Sequence, residues 1–197
     1  MADLSLDDDK LHKRVISHQE DEKAIQRLLS LATERNSQIG AVETQRKANS
    51  KKFDETEAAV ADKELKVLEA GADAAKLEAL KAERKDAFQT YSGQEGQIAQ
   101  DEAGTTLQLA KEVEKAADKA SMRDESDKDT VSTLMAWLKE LKDEKKVLTD
   151  ASQARISVHL NVLELRDKAV AEFAASKSKD KWAASQKEIQ KLLKDQA

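Results

Sequence analysis

The chain has no cysteine, no proline, only five glycines and few aromatic residues. Without cysteine there are no disulfides, no thiolate nucleophile and no Cys-ligated zinc, although any compartment stays open. Proline inside a helix costs about 3 kcal/mol, so a chain without it can stay helical over long distances. The glycines are Gly40, Gly71, Gly93, Gly96 and Gly104, so nothing beyond Gly104 relies on glycine for a turn. Aromatic residues make up 3 % of 197 residues, less than a compact globule of this size normally carries. No apolar run approaches the ~18 residues of a membrane span. The acidic start, Met1 to Asp9, lacks the apolar stretch of a secretory signal. The expected location is the cytoplasm or a particle assembled there, with export by a signal-independent machine left open.

What is present is Ala, Glu, Lys, Leu and Asp. Charged residues make up 37 % and apolar residues 39 %, the mixture of long helices and coiled coils. No alternating run of β-branched and aromatic residues marks a strand. No repeat of 20 to 50 residues marks a solenoid. The expected fold is all-α: a long helical hairpin, or antiparallel coiled-coil-like bundle, with a short C-terminal helix.

Ser5 and Asp8 resemble a capping box, and Asp7 to Asp9 suit the positive end of a helix dipole. From there a seven-residue spacing runs through Leu11, His18, Ile25, Ala32, Ile39, Arg46, Phe53, Val60, Val67, Ala74, Lys81 and Phe88. Its companion seam holds Val15 and Leu29 but also Glu22, Asn36 and Glu43. Polar seam residues weaken a coiled coil while fixing its register and partner number. Two weak points, 35–40 and 69–72, interrupt the pattern without needing to end it. The expectation is one arm over 6–91, about 130 Å long at ~1.5 Å per residue. Ser92-Gly93-Gln94-Glu95-Gly96 is turn chemistry, so the chain is expected to fold back at 92–96, with Gly93 and Gly96 making the turn.

Returning helices are expected over 97–121, 130–175 and 181–195, all within a single elongated domain. Residues 122–130 lose periodicity and read as a loop, with Ser126 or Asp129 capping the next helix. That helix carries the strongest apolar stripe, Val131, Leu134, Leu138, Leu141 and Leu148, with Met135 and Trp137 beside it. The stripe continues through Val158, Val162, Leu165, Ala169 and Phe173, and Ser176 to Lys181 reads as a second joint.

Chemistry-bearing motifs are scarce. His12, His18 and His159 include no Glu-x-x-His pair of the di-metal bundles, and Asp9 with His12 stands alone. No Gly-x-Ser-x-Gly nucleophile turn and no phosphate-binding glycine loop occur. No enzyme activity, cofactor or metal is therefore expected. The basic cluster Arg46, Lys47, Lys51 and Lys52 lacks interleaved aromatics and is flanked by acids. With a net charge of -5, nucleic acid is not an expected partner.

The expected function is structural: self-association, or docking into a filament, virion or secretion-related particle. The expected contact residues are Leu134, Trp137, Leu138, Leu141 and Trp182, since apolar stripes and Trp anchors carry interfaces. Further copies of the chain or other protein subunits are the expected partners. A membrane surface ranks behind them. There the amphipathic segment 131–148 would act in a remodelling scaffold or a pore former, though Glu140, Asp143 and Glu144 dilute its basic face. A helical adaptor or chaperone binding one partner helix is the third expectation.

Overall fold

The computed structural model describes the backbone from Asp8 to Met122 and from Lys128 to Lys194, with side chains from Gln19 onward. The expected Ser5 and Ser126 caps, and the side chains of Leu11, His12, Val15 and His18, lie outside the described residues. The fold is all-α. Among the described residues four helices follow in order: α1 Asp8–Glu69, α2 Ala74–Ser121, α3 Lys128–Ser176 and α4 Lys179–Lys194. The described residues contain no strand.

The chain turns between α1 and α2 at residues 70–73, not at 92–96. Gly71 takes φ +123°, a conformation that only glycine adopts cheaply. The Ala72 N–H donates to the Val67 carbonyl at 2.9 Å and the Gly71 N–H to the Leu68 carbonyl at 3.4 Å. This crossed pair is a Schellman stop, which satisfies carbonyls that the ending helix leaves free. Asp73 then starts α2. Its carboxylate accepts the backbone N–H groups of Ala75 at 3.1 Å and Lys76 at 3.2 Å, and those bonds hold its pKa down. A glycine stop followed at once by an aspartate cap outweighs two glycines with no cap beside them.

Gly93 and Gly96 therefore sit inside α2, which runs unbroken through 92–96. The weak point at 35–40 is likewise helical. A Cβ added at either Gly93 or Gly96 would meet nothing within 4 Å. Gly93→Ala and Gly96→Ala are each expected to raise stability by about 0.5–1 kcal/mol, because alanine loses less backbone entropy on folding. A turn at 92–96 would reverse the sign, so urea unfolding of the two variants separates the cases.

The second joint falls where the Ser-Lys run placed it. Lys177 has φ +54°, and the Ser178 hydroxyl accepts the Lys181 N–H at 3.4 Å to open α4. At the start of α3, Asp129 lies in the first helical turn.

The helices divide into two compact units: Met1–Ala41 with Asp101–Thr149, and Val42–Gln100 with Asp150–Ala197. The first has an apolar core of Leu28, Leu109, Ala110, Val113, Ala117, Leu134, Leu138 and Leu141. Alanines on α2 let the leucines of α3 approach closely. Beside this core the Arg35 guanidinium donates to the Thr106 hydroxyl at 3.1 Å and pairs with Glu144. The second unit packs Leu68, Ala169, Phe173 and Trp182 at one place, where α4 lies over α1 and α3.

Candidate functional site: a buried ionic cluster in the second unit

Within the second unit, the faces that α1, α2 and α3 turn toward one another carry charged residues among the apolar ones. Val162, Arg166, Ala169 and Phe173 form the buried stripe of α3, and Phe53, Glu57, Val60, Glu64 and Leu68 form that of α1. Helical spacing thus places Glu57, Glu64 and Arg166 where a bundle would ordinarily put leucine.

Arg166 is fully buried. Its Nε donates to Glu57 Oε1 at 2.6 Å and lies 4.0 Å from Glu64 Oε2. Its guanidinium carbon stands 5.3 Å from the centroid of the Trp182 ring, a cation–π contact. Arg84 of α2 closes the cluster, with Nη2 3.1 Å from Glu64 Oε1 and 2.8 Å from Asp167 Oδ1. At the surface Lys81 meets Asp167 at 2.9 Å. Burial pushes the Glu64 carboxyl up to about 7 against the pull of Arg84 and Arg166. Nη1 and Nη2 of Arg166, Nε and Nη1 of Arg84 and Oε2 of Glu64 are buried without hydrogen-bond partners.

A second polar group lies further along the same helices. Glu95 is fully buried, and its Oε1 accepts from Arg155 Nε at 2.7 Å and Arg46 Nε at 3.2 Å. Asn49 donates to the Tyr91 carbonyl at 3.1 Å. Between the two groups the His159 ring stacks on Tyr91 at 4.0 Å and meets the Phe53 edge at 5.0 Å. The Arg155 carbonyl accepts from His159 Nδ1 at 2.8 Å. Burial lowers the His159 pKa, so the ring is neutral with its proton on Nδ1. Burial also raises the Tyr91 hydroxyl. Asp54 reaches about 6, through burial first and then the charges of Glu57 and Glu55.

The carboxylates of Glu57, Glu64 and Glu95 are tied to guanidinium groups, and His159 is tied to backbone. What such a cluster does is hold three helices at one register: a shift by one turn would strand a buried charge. Among the described residues no group of three or more His, Asp or Glu side chains comes together as a metal site would need.

Leu134, Leu138 and Leu141 are buried in the first unit's own core, and Trp137 packs half-buried against it. Trp182 is buried on Phe173, 5.9 Å between ring centroids. The expected contact residues thus face this chain's own helices, because alanines opposite Leu134–Leu141 and Leu68 beneath Trp182 offer closely fitting partners. The ionic cluster went unforeseen except for Arg46 and Lys81, which the seam already marked. Its signal was available: Glu57 and Glu64 lie seven apart, at helical spacing from Val60 and Leu68.

No family model matches the chain. No curated protein and no solved structure matches it either.

Proposed function

We propose that the chain is a non-enzymatic helical scaffold that works by association, with copies of itself or within a larger assembly such as a filament, a virion or a secretion-related particle. The observation that carries this is the ionic cluster. Buried ion pairs contribute little net stability compared with leucine, and their best-attested use is to fix register. A part whose task is to set length and spacing needs its helices locked at one offset. Interspersed charge over the remaining surface suits a component that stays soluble until it assembles.

Sedimentation velocity over a wide concentration range tests the proposal. Mass that climbs with concentration, or a defined oligomer, is expected. A monomer at every concentration, with no subunit captured from its own source, would sink it.

A membrane role for 131–148 is the second reading, and one observation favours it: Met135 and Val147 within that segment remain exposed. Its leucines are spent on the core, so α3 would have to leave α2 before inserting. No described helix is long and apolar enough to cross a membrane. Co-sedimentation with anionic liposomes that is lost in Trp137→Glu would favour this reading. A helical adaptor or chaperone for a partner protein comes third.

A further inference from the structure

Within the second unit an open groove of about 330 Å³ lies between α2 at 81–89 and α3 at 160–167. That size is at the low end for small-molecule sites. Phe88, Leu160 and Leu163 make its apolar lining. Phe88 and Leu163 are half-buried, whereas Leu160 is 44 % exposed. Leu160 is thus a large apolar side chain at the lip of a groove rather than in a core.

The groove has unlike ends. Its two helices run antiparallel, since Lys81 and Arg84 meet Asp167 while Glu95 meets Arg155. Asp167 therefore stands at the Lys81 end and Leu160 at the Phe88 end. At the charged end Arg84 is 4 % exposed. Its Nη2 lies 3.1 Å from Glu64 Oε1 and 2.8 Å from Asp167 Oδ1, which holds the guanidinium in place. Its Nε and Nη1 are buried with no hydrogen-bond partner. Buried donors left without an acceptor are unfavourable, and an incoming oxygen would relieve them. Lys85, exposed, lines the same stretch. Lys81, Arg84 and Lys85 outnumber Glu164 and Asp167, the carboxylates of the lining.

We infer that this groove binds a small amphiphilic carboxylate, an unbranched fatty acid of medium chain length, with its headgroup at Arg84 and Lys85 and its tail along Leu163, Leu160 and Phe88. Unlike ends select a molecule with unlike ends. An inorganic anion would leave the apolar lining wet, and a plain hydrocarbon would leave the Arg84 donors unanswered. From Lys81 to Phe88 the helix advances roughly 10 Å, a length that a medium chain fills and a long-chain lipid overruns. The site lies within one chain and needs no second copy.

Isothermal titration calorimetry of the full chain with sodium decanoate, kept below micelle-forming concentrations, tests the site. Saturable one-to-one binding with a Kd on the order of 100 µM is expected. Octanoate should bind more weakly, by up to about fourfold for each methylene lost. Decylammonium has the same tail and the opposite headgroup, and is expected to bind at least about tenfold more weakly than decanoate. Two variants read the two ends, and both positions are exposed, so the helical fold should be unchanged. Leu160→Asp is expected to weaken decanoate by at least about tenfold, since it sets a charge against the tail. Lys85→Glu should weaken decanoate and strengthen decylammonium. No saturable heat at millimolar decanoate would overturn the site. Equal affinity for decanoate and decylammonium would mean adherence to any apolar surface, and would overturn it too. Unchanged binding by Leu160→Asp would put the ligand elsewhere on the chain and end the claim for this groove.

Discussion

Replacing Arg166 by alanine is expected to cost about 3–5 kcal/mol, the cost typical of removing one partner from a buried ion pair. The expectation follows from what would be left behind. Glu57 would lose its 2.6 Å partner, Glu64 would keep only Arg84, and both carboxylates would stay buried. The Trp182 ring would lose the cation over its face. Urea unfolding followed by circular dichroism gives the total, and Trp fluorescence reports the loss beside α4. The companion variant removes the whole cluster: Glu57→Leu, Glu64→Leu, Arg84→Leu and Arg166→Met together. It is expected to be at least as stable as the wild type, because apolar replacement ends the desolvation cost of four buried charges. A cost below about 1 kcal/mol for Arg166→Ala would mean that water reaches the cluster and that it does not lock the helices. A quadruple variant that loses several kcal/mol would mean that the ion pairs themselves stabilise the fold.

The second large effect is on pH dependence. Glu64 has its carboxyl raised from 4.5 to about 7, first by burial. A carboxyl that holds its proton more tightly folded than unfolded stabilises fully below 4.5 and loses that contribution as pH rises through 7. At about 1.4 kcal/mol per unit the loss is on the order of 3 kcal/mol. Asp54 works in the same direction between 3.8 and about 6. His159 opposes them: its pKa is lowered from 6.5, so its contribution is present above that value and fades as pH falls through the folded value. Glu64→Gln isolates the first of these. Across pH 4.5 to 8 the variant should gain on the wild type by a few kcal/mol, since Gln has no proton to lose. Parallel stability curves for the two proteins would show that Glu64 titrates normally in the folded state.

The helical class was legible because absence of proline and a seven-residue spacing are local properties, and packing has only to accept them. The turn was misplaced for an equally local reason. Gly93 and Gly96 have the composition of a turn, but a helix already supported on both sides absorbs glycine at about 1 kcal/mol each. What stops α1 is a crossed hydrogen-bond pair at Gly71 joined to a cap at Asp73, and that needs the order of residues rather than their composition. The buried charges were hidden by an ambiguity of one residue. On α3, Leu165 and Arg166 are neighbours, and periodicity favoured the leucine. Only Glu57 and Glu64 on another helix make the arginine the inward residue, a dependence between distant segments that one helix cannot reveal.

The tip at Gly71 has a kinetic corollary. Pairs along α1 and α2 include Lys63 with Glu83, Arg46 with Glu95, and Arg35 with Thr106, separated along the chain by 20, 49 and 71 residues. Closing the last of these first would order a long loop for a single contact. Closing them outward from the tip makes each step a short extension of helix already paired. Loop-closure entropy grows with the logarithm of length, so the outward order is the cheaper route at every step. The hairpin is thus laid out as a zipper, with its slider parked at the Gly71 bend.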